Sequence, residues 1–311
     1  MIESNGERPT TAGIGLTELH RHLDGALRPS TVESLAAKLN VPCPKSLYFE
    51  PGMGLAEALA KFAFTVSLLQ QPGHLTRVAD EICADATLEG IEHLEIRFAP
   101  QLHHQMSMAR AVDAVLEGCG DRAGLILCGL YGEPPAVLEA LVNIAMNRPR
   151  VVGIDLAGGP TPQHRYGLRD YAPAFKRARR LDLGRTVHAG EGRPAYEIRA
   201  AVEHLFAQRI GHGVTLLDDP ELLDLVCANR VTIEACPTSN VHTGAISAIE
   251  VHPLRQWLNH GVRVAVCTDN PLFSQVDLPA ELRRIKIGLD LSAAEMSELQ
   301  RHAATARFET R

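Results

Sequence analysis

Short apolar runs recur along the whole chain, and most of them are separated by segments with the periodicity of amphipathic helices. Strands that alternate with helices are typical of parallel sheets. Eight such units in about 250 residues predict an α/β fold of the (β/α)8 barrel class, also called a TIM barrel. The predicted strands are LTELH (16–20), HLEIRF (93–98), GLILCGL (124–130), VVGIDLA (151–157), RTVHA (185–189), RIGH (209–212), VTIEAC (231–236) and RVAVCT (263–268).

The segment between the first two predicted strands is longer than the other connections. Residues 26–92 contain about three helical patterns, one of them over MGLAEALAKFAFTVSLLQQ. We therefore expect extra helices after strand 1, over the mouth at the C-terminal ends of the strands, where such barrels bind substrate. Because no linker rich in Gly, Ser or Pro interrupts the pattern, residues 1–311 are predicted to form one domain, with a flexible segment at about 1–12.

Composition argues against two classes of partner. The 311 residues carry a net charge of −6, so the chain lacks the basic character expected of a nucleic-acid-binding protein. No apolar run reaches the roughly 18 residues of a membrane span, and the polar first residues do not resemble a signal peptide.

Seven scattered cysteines without a Cys-x-x-Cys pair are typical of reduced thiols and predict a cytoplasmic protein. Nothing in the pattern specifies an oligomeric state.

Polar side chains stand at the ends of several predicted strands. His20 and His22 end the first strand, His188 lies at the end of the fifth, His212 ends the sixth, and Asp269 follows the eighth. Residues i and i+2 of a strand point to the same side, so His20 and His22 face one point together. Imidazoles with one carboxylate and no thiolate are typical zinc ligands. We expect one zinc ion per chain, held by His20, His22, His188 and Asp269.

Each of these motifs has another interpretation when it is taken alone. The histidines of HRH (20–22) could make ordinary hydrogen bonds, as histidines near strand ends often do. HAGE (188–191) could be a tight turn before a helix, and TDN (268–270) could be an N-cap. The three motifs together, in barrel order, favour the metal site. Because a metal ion lowers the pKa of its bound water and makes a hydroxide nucleophile available, the site predicts hydrolytic chemistry.

Six motifs carry a resemblance to a known family: ELHRHLDGALRP, VVGIDLAGG, RTVHAGEG, RIGHGV, EACPTSNVHTGA and VAVCTDNP. Together they resemble the adenosine deaminase family, a branch of the metal-dependent amidohydrolases, from about Leu16 to Phe308. The resemblance implies a zinc-dependent hydrolase that removes the 6-amino group of a purine nucleoside, either adenosine or 2′-deoxyadenosine, and releases ammonia.

The resemblance also implies a role for each candidate residue. His20, His22, His188 and Asp269 correspond to the metal ligands, and Asp269 also to a proton acceptor. Glu191 corresponds to the proton donor to purine N1, and His212 to the base that orients the water. The substrate contacts are Asp24 at the ribose 5′-hydroxyl, Gly158 at purine N3, Asn270 at N7, and Leu59 and Phe62 in an apolar lid. Leu59 and Phe62 could equally be ordinary helix core.

Two departures from the family pattern leave the identity of the substrate undecided. Asn270 stands where many members carry a second aspartate, although an amide can donate the same hydrogen bond. The segment 128–135, CGLYGEPP, lacks the basic side chains that some members place there. The alternatives are 6-aminodeoxyfutalosine as substrate and a catalytically idle nucleoside-binding barrel. Arg97, His103 and His104 could contact a larger 5′ group, although we expect solvated loop residues.

Overall fold

The structure, a computed structural model, describes residues 15–159, 161 and 163–311. The expected flexible segment at 1–12 lies outside them. Eight parallel strands form one sheet in chain order, which confirms the predicted strands. They are Leu16–His22 (β1), Ile91–Phe98 (β2), Gly124–Leu130 (β3), Val151–Ala157 (β4), Gly184–Ala189 (β5), Arg209–His212 (β6), Thr232–Ala235 (β7) and Arg263–Val266 (β8).

Helices follow the strands along the chain. None in the described part of the chain is long and apolar enough to cross a membrane. The α-helices of this part are Pro29–Leu39 (α1), Leu55–Leu68 (α2), Pro72–Glu89 (α3), Met108–Cys119 (α4), Pro135–Ala145 (α5), Ala172–Arg180 (α6), Tyr196–Leu205 (α7), Pro220–Ala228 (α8), Pro237–His242 (α9), Leu254–Asn259 (α10), Pro271–Ser274 (α11), Leu278–Gly288 (α12) and Ala293–Thr305 (α13).

The sheet closes into a barrel just after β8, through the backbone of Asp269. The N–H of His22 donates to the carbonyl of Asp269, and the N–H of Asp269 donates to the carbonyl of His20, both at 2.9 Å. Asp269 has a φ of 60°, a left-handed conformation that costs free energy in a residue other than glycine. The residue that joins β8 to β1 is therefore held in a constrained conformation next to both histidines. This closure confirms the predicted (β/α)8 barrel.

The three helices between β1 and β2 have different positions. Helix α3 packs against α4 and β2, so it occupies the place of an ordinary barrel helix in the outer ring. Helix α2 lies over the mouth, where Leu55, Leu59 and Phe62 line a cavity above the strands. Helix α1 packs against α2. The predicted cover over the mouth is thus confirmed, and α2 is the helix that lines the cavity.

The inside of the barrel contains ion pairs as well as an aliphatic core. Arg97 donates to Asp155 at 2.8 Å and to Glu234 at 2.9 Å. Arg209 lies 2.6 Å from a Glu95 oxygen and 2.7 Å from a Glu234 oxygen. All five side chains are almost completely inaccessible to solvent. Because each buried cation has two carboxylate partners, mutual attraction offsets part of the cost of removing these charges from water.

The expectation that Arg97, His103 and His104 are solvated is wrong for the first two, whereas His104 is exposed. Arg97 is buried inside the barrel and is not a solvated loop residue, because the inward-facing positions of β2 point toward β4 and β7. His103 is also buried, and its Nδ1 lies 2.8 Å from the carbonyl oxygen of Leu69. Both side chains are therefore engaged in internal contacts.

Candidate active site

Four side chains from the ends of β1 and β5 and from the turn after β8 converge on one point. His188 Nε2 lies 3.1 Å from His20 Nε2 and 3.2 Å from His22 Nε2. Asp269 Oδ1 lies 3.6 Å from His20 Nε2 and 3.4 Å from His22 Nε2. The structure thus brings together all four residues that the sequence predicts as metal ligands.

Buried carboxylates fix the orientation of two of these histidines. His20 Nδ1 lies 2.6 Å from Glu234 Oε2, and His188 Nδ1 lies 3.2 Å from Asp155 Oδ1. Because a carboxylate accepts hydrogen bonds, each Nδ1 carries the proton and each Nε2 presents a lone pair. These lone pairs and the Asp269 oxygen would repel one another unless a cation lay among them. The donor set therefore fits a divalent metal ion.

The protonation of His20 and His22 agrees with this fit. Burial lowers the pKa of His20 and of His22 well below the usual value, and Arg97 acts in the same direction. Burial also opposes the charge of His188, but Asp155 outweighs it and raises the pKa of His188. Neutral imidazole is the form that binds a metal ion, so His20 and His22 are already in the ligand form.

Ser239 fixes the carboxylate of Asp269. The Ser239 hydroxyl donates to Asp269 Oδ2 at 2.6 Å, which leaves Oδ1 as the oxygen nearest His20 and His22. Ser239 is in α9, directly after β7, and Asp269 lies just after β8. A residue after one strand therefore positions a carboxylate after the next strand. This contact selects which oxygen of Asp269 faces the histidines.

His212 lies beside the cluster and is held differently. Its φ of 69° is left-handed, and Asn240 Nδ2 donates to its Nδ1 at 2.9 Å. Nδ1 is therefore an acceptor, and Nε2 carries the hydrogen. Burial lowers the pKa of His212 to about 3, so the ring is neutral. Although His212 is close enough to His20 and His188 to form a second metal-binding group with them, its N–H is suited to donating a hydrogen bond.

Glu191 faces the same space from the turn after β5. Its Oε2 lies 3.7 Å from His212 Nε2, and its side chain is buried. Burial raises the pKa of Glu191, while Arg193, His188 and Thr243 act in the opposite direction. The net shift favours the protonated acid, which is the form a proton donor needs.

A cavity above the cluster contains most of the other predicted site residues. Gly158 has a φ of 77°, and no atom of the described residues lies within 4 Å of the position of a Cβ there. The Phe62 ring lies 6.1 Å from the His22 ring, edge to face, and Leu59 is 41% exposed. The cavity is lined by His22, Phe49, Leu55, Ala58, Leu59, Phe62, Gly158, His188, Glu191, His212, Ser239, Thr243, Asp269 and Asn270.

Asn270 and Asp24 occupy different places relative to this cavity. Asn270 lines it, and its Oδ1 is directed at Gly25, where a Cβ would lie 2.1 Å away. Asp24 is not among the lining residues, but it is buried, and its Oδ1 has no hydrogen-bond partner in the described part of the chain. Burial raises the pKa of Asp24 to about 7.

Sequence reasoning missed the residues that support the cluster. Glu234 stands within the apolar run VTIEAC, and a charged residue inside a buried strand is a signal that could have been used. Asp155 stands near the end of VVGIDLA, where an aspartate could either support a metal ligand or cap a turn, and its contact with His188 agrees with the first role. Ser239 and Asn240 carry no positional signal, because their roles depend on the geometry of the turn after β7.

Comparisons with known proteins agree with these observations. Residues 15–310 match the family described as adenosine deaminase. The adenosine deaminase of Shewanella loihica is 33% identical over 318 residues, which cover 95% of this chain and 94% of the relative. The structure of Arabidopsis ADAL complexed with IMP superposes with a TM-score of 0.84 and 26% identity, covering 95% of this chain and 92% of that one.

A second solved structure shares the fold at lower identity. The adenine deaminase from Arthrobacter aurescens superposes with a TM-score of 0.86 and 23% identity, covering 95% of this chain and 94% of that one. The fold, the near full-length family match and the 33% identical relative lead to one assignment. The chain belongs to the adenosine deaminase family, as its motifs predict, and is a hydrolase that acts on carbon–nitrogen bonds in cyclic amidines.

Proposed function

We propose that this protein deaminates adenosine and 2′-deoxyadenosine by hydrolysis, with one zinc ion per chain. Water supplies the oxygen that becomes the C6 carbonyl of inosine or 2′-deoxyinosine, and the 6-amino group leaves as ammonia. The observation that carries the proposal is the convergence of four donor groups beneath a cavity that Glu191 and His212 also face. The adenosine deaminase relatives support the choice of substrate.

The metal ion would be held by His20, His22, His188 and Asp269. Three imidazole nitrogens and one carboxylate oxygen are a donor set that zinc accepts. When bound, zinc would lower the pKa of water toward neutrality and so supply a hydroxide nucleophile. Glu234 and Asp155 would keep His20 and His188 in the tautomer with a free Nε2.

Glu191 would act as the proton donor to purine N1. Addition of an oxygen nucleophile to C6 breaks the aromaticity of the ring and places negative charge on N1, so a protonated acid is needed there. Burial raises the pKa of Glu191 and so favours the protonated form that this role needs. A glutamine in this position could hydrogen-bond to N1 but could not transfer a proton to it.

His212 would orient the attacking water, and Asp269 would accept its proton. The Nε2–H of His212 would donate to the attacking oxygen, aim it at C6 and stabilise its charge. Asp269 Oδ2 is engaged by Ser239, so Oδ1 would accept a proton from the water and pass it toward the leaving amine. The hydrogen bonds from Ser239 and Asn240 would hold these two side chains in place at the barrel mouth.

The remaining residues would hold and cover the nucleoside. The Gly158 N–H would meet purine N3, since a residue without a Cβ lets the ring approach the main chain. The Asn270 amide would donate to N7, and Asp24 would accept from the ribose 5′-hydroxyl through its unpartnered Oδ1. Leu59 and Phe62 would exclude water from the purine from above.

A substrate panel on the zinc-loaded protein tests this proposal. Adenosine, 2′-deoxyadenosine, adenine, 5′-modified adenosines and 6-aminodeoxyfutalosine would be compared by kcat/KM, using absorbance and released ammonia. We expect the two unmodified nucleosides to be the best substrates. A higher kcat/KM for 6-aminodeoxyfutalosine would overturn the substrate assignment, and no turnover of any 6-aminopurine would overturn the activity.

Glu191→Gln provides the control for the chemistry. We expect kcat to fall about 100- to 10,000-fold, the usual contribution of a positioned acid, while zinc content and nucleoside binding persist. Unchanged turnover would show that another group protonates N1. Loss of zinc together with activity would place Glu191 among the groups that hold the metal.

A further inference from the structure

The N-terminal ends of β5 to β8 border a second cavity, at the opposite end of the barrel from the candidate active site. We call it the basal cavity, and its volume is about 470 Å³. Among the described residues that line it there is no Asp or Glu. Six of the lining residues are arginines: Arg179, Arg185, Arg209, Arg230, Arg263 and Arg307.

Only one of these arginines is neutralised by carboxylates in the described part of the chain. Arg209 lies on the inner wall and pairs with Glu95 and Glu234. The other five have no Asp or Glu oxygen within 4 Å among the described residues. The whole chain carries a net charge of −6, so this concentration of positive charge is local to the base of the barrel. A cavity lined by one sign of charge attracts ligands of the opposite sign.

Arg185 is the most unusual member. It is only 9% exposed, and buried arginines are normally paired with an acid. Its Nε donates to the Phe206 carbonyl at 2.8 Å and its Nη1 to the Leu183 carbonyl at 2.7 Å. Its Nη2 makes no hydrogen bond to the described residues. The guanidinium is thus fixed by backbone groups and retains free donor capacity beside the cavity.

The surroundings disfavour the charge of Arg185. Burial lowers the pKa of Arg185 to about 10, and Arg179 acts in the same direction against a smaller opposing effect of Asp182. Since this value is above neutral pH, the side chain stays cationic. Holding several like charges around one cavity costs free energy that a bound anion would recover.

Other arginines are also held in place at the cavity. Arg263 Nη2 donates to the Thr305 hydroxyl, and the Arg179 guanidinium lies 4.9 Å from the centre of the Phe206 ring. Side chains that are already fixed lose little conformational entropy when they bind a ligand. Three of the six arginines are therefore held in place before any anion arrives.

We propose that the basal cavity binds a small phosphorylated anion, with Arg185 as the inner ligand and Arg230 and Arg263 at the rim. The planar guanidinium presents paired N–H donors that match phosphate oxygens, and a dianion can be shared between several arginines. The volume falls in the range of small-molecule sites, roughly 300–1,000 Å³. The shared chemistry is the phosphate group, either free or as a phosphomonoester.

Isothermal titration calorimetry on the zinc-loaded protein, at constant ionic strength, tests this site. The probes are inorganic phosphate and ribose 5-phosphate, with succinate as a dicarboxylate of equal charge. We expect saturable binding of one phosphate probe per chain, tighter than succinate, with a rise in melting temperature. Preference for ribose 5-phosphate would identify a phosphomonoester site, and preference for inorganic phosphate a free-phosphate site.

Single arginine substitutions test whether phosphate binds in the basal cavity. Arg185→Gln should weaken phosphate binding about ten-fold or more, as expected for loss of a charged hydrogen bond. Arg263→Gln should weaken it less, and Arg283→Gln, on the exposed side of α12, should have no effect. If Arg185→Gln does not fold, Arg263→Gln and Arg230→Gln provide the same comparison at the rim. Equal binding in all variants, equal affinity for succinate, or no saturable binding would overturn the proposal.

Discussion

Glu234 Oε2 lies 2.6 Å from His20 Nδ1, and neither side chain is accessible to solvent. The two residues are 214 positions apart and meet only because the barrel closes. The same Glu234 oxygen accepts from Arg97 Nη2 at 2.9 Å, and the other lies 2.7 Å from Arg209. One carboxylate therefore connects a predicted metal ligand to the charged interior of the barrel.

We expect Glu234→Gln to lower metal affinity about 10- to 100-fold, the usual effect of removing a carboxylate behind a ligating histidine. The amide oxygen can still accept from Nδ1–H, but the side chain is neutral and no longer increases the basicity of His20. Zinc affinity would be measured by competition with a coloured chelator, and kcat/KM at saturating zinc.

Glu95→Gln is the matched control for this substitution. Glu95 is equally buried and shares Arg209 with Glu234, but it contacts none of the histidines at the barrel mouth. The zinc affinity of the Glu95→Gln variant should stay at the wild-type value even if its melting temperature falls. Equal losses of zinc affinity in both variants would mean that barrel stability, and not the contact with His20, controls the site.

Gly25 and Asn270 make a second testable pair. A Cβ on residue 25 would lie 2.1 Å from Asn270 Oδ1, so Gly25→Ala must displace the Asn270 amide. Because small misplacements of binding groups are costly, we expect kcat/KM for adenosine to fall about 10- to 100-fold. Gly73→Ala, in α3, is the control, since no atom in the described part of the chain lies within 4 Å of its Cβ position. Wild-type kinetics in Gly25→Ala would remove Asn270 from the recognition of the purine.

The barrel and the convergent side chains could be predicted because they depend on local patterns. Each strand is a short apolar run, and His20 and His22 are two residues apart, so one face of β1 presents both. Strand ends of a parallel barrel meet at one face, which brings His188 and Asp269 to the same point without knowledge of any contact.

The supporting contacts could not be predicted, because they depend on how the barrel closes and how its helices pack. Arg97 follows an ordinary strand pattern, and only the positions of β4 and β7 reveal its carboxylate partners. Helices α2 and α3 are both amphipathic, so the sequence does not distinguish the one that covers the mouth. That distinction arises because the apolar face of α3 packs against α4.

Leu59 tests whether α2 covers the substrate. Its side chain is 41% exposed, so Leu59→Ala should leave the melting temperature almost unchanged. Covering a nucleoside with roughly half a leucine side chain is worth about 1 kcal/mol, so KM should rise about five-fold. Leu88→Ala, on α3 with the side chain 86% exposed, should change neither quantity. A wild-type KM in Leu59→Ala would show that this side chain does not cover the purine.

The raised pKa of Glu281 predicts that the stability of the protein depends on pH. Glu281 is buried, accepts from the Thr238 N–H at 2.7 Å and from the Thr238 hydroxyl, and burial raises its pKa from 4.5 to about 7. Between these two values the folded protein keeps a proton that the unfolded chain has lost. Stability from this group therefore falls as pH rises through that window, by a few kcal/mol in order of magnitude.

Glu281→Gln should remove this fall, because a glutamine does not titrate. Urea unfolding at about pH 5 and about pH 8 would give the free energy of unfolding of each protein. We expect the variant to gain stability relative to the wild type at the higher pH, whereas Glu139→Gln, an exposed control on α5, should follow the wild type at both. If the wild type and Glu281→Gln lose stability in parallel, Glu281 is ionised in the fold, and Arg284 or the two Thr238 donors stabilise its charge despite burial.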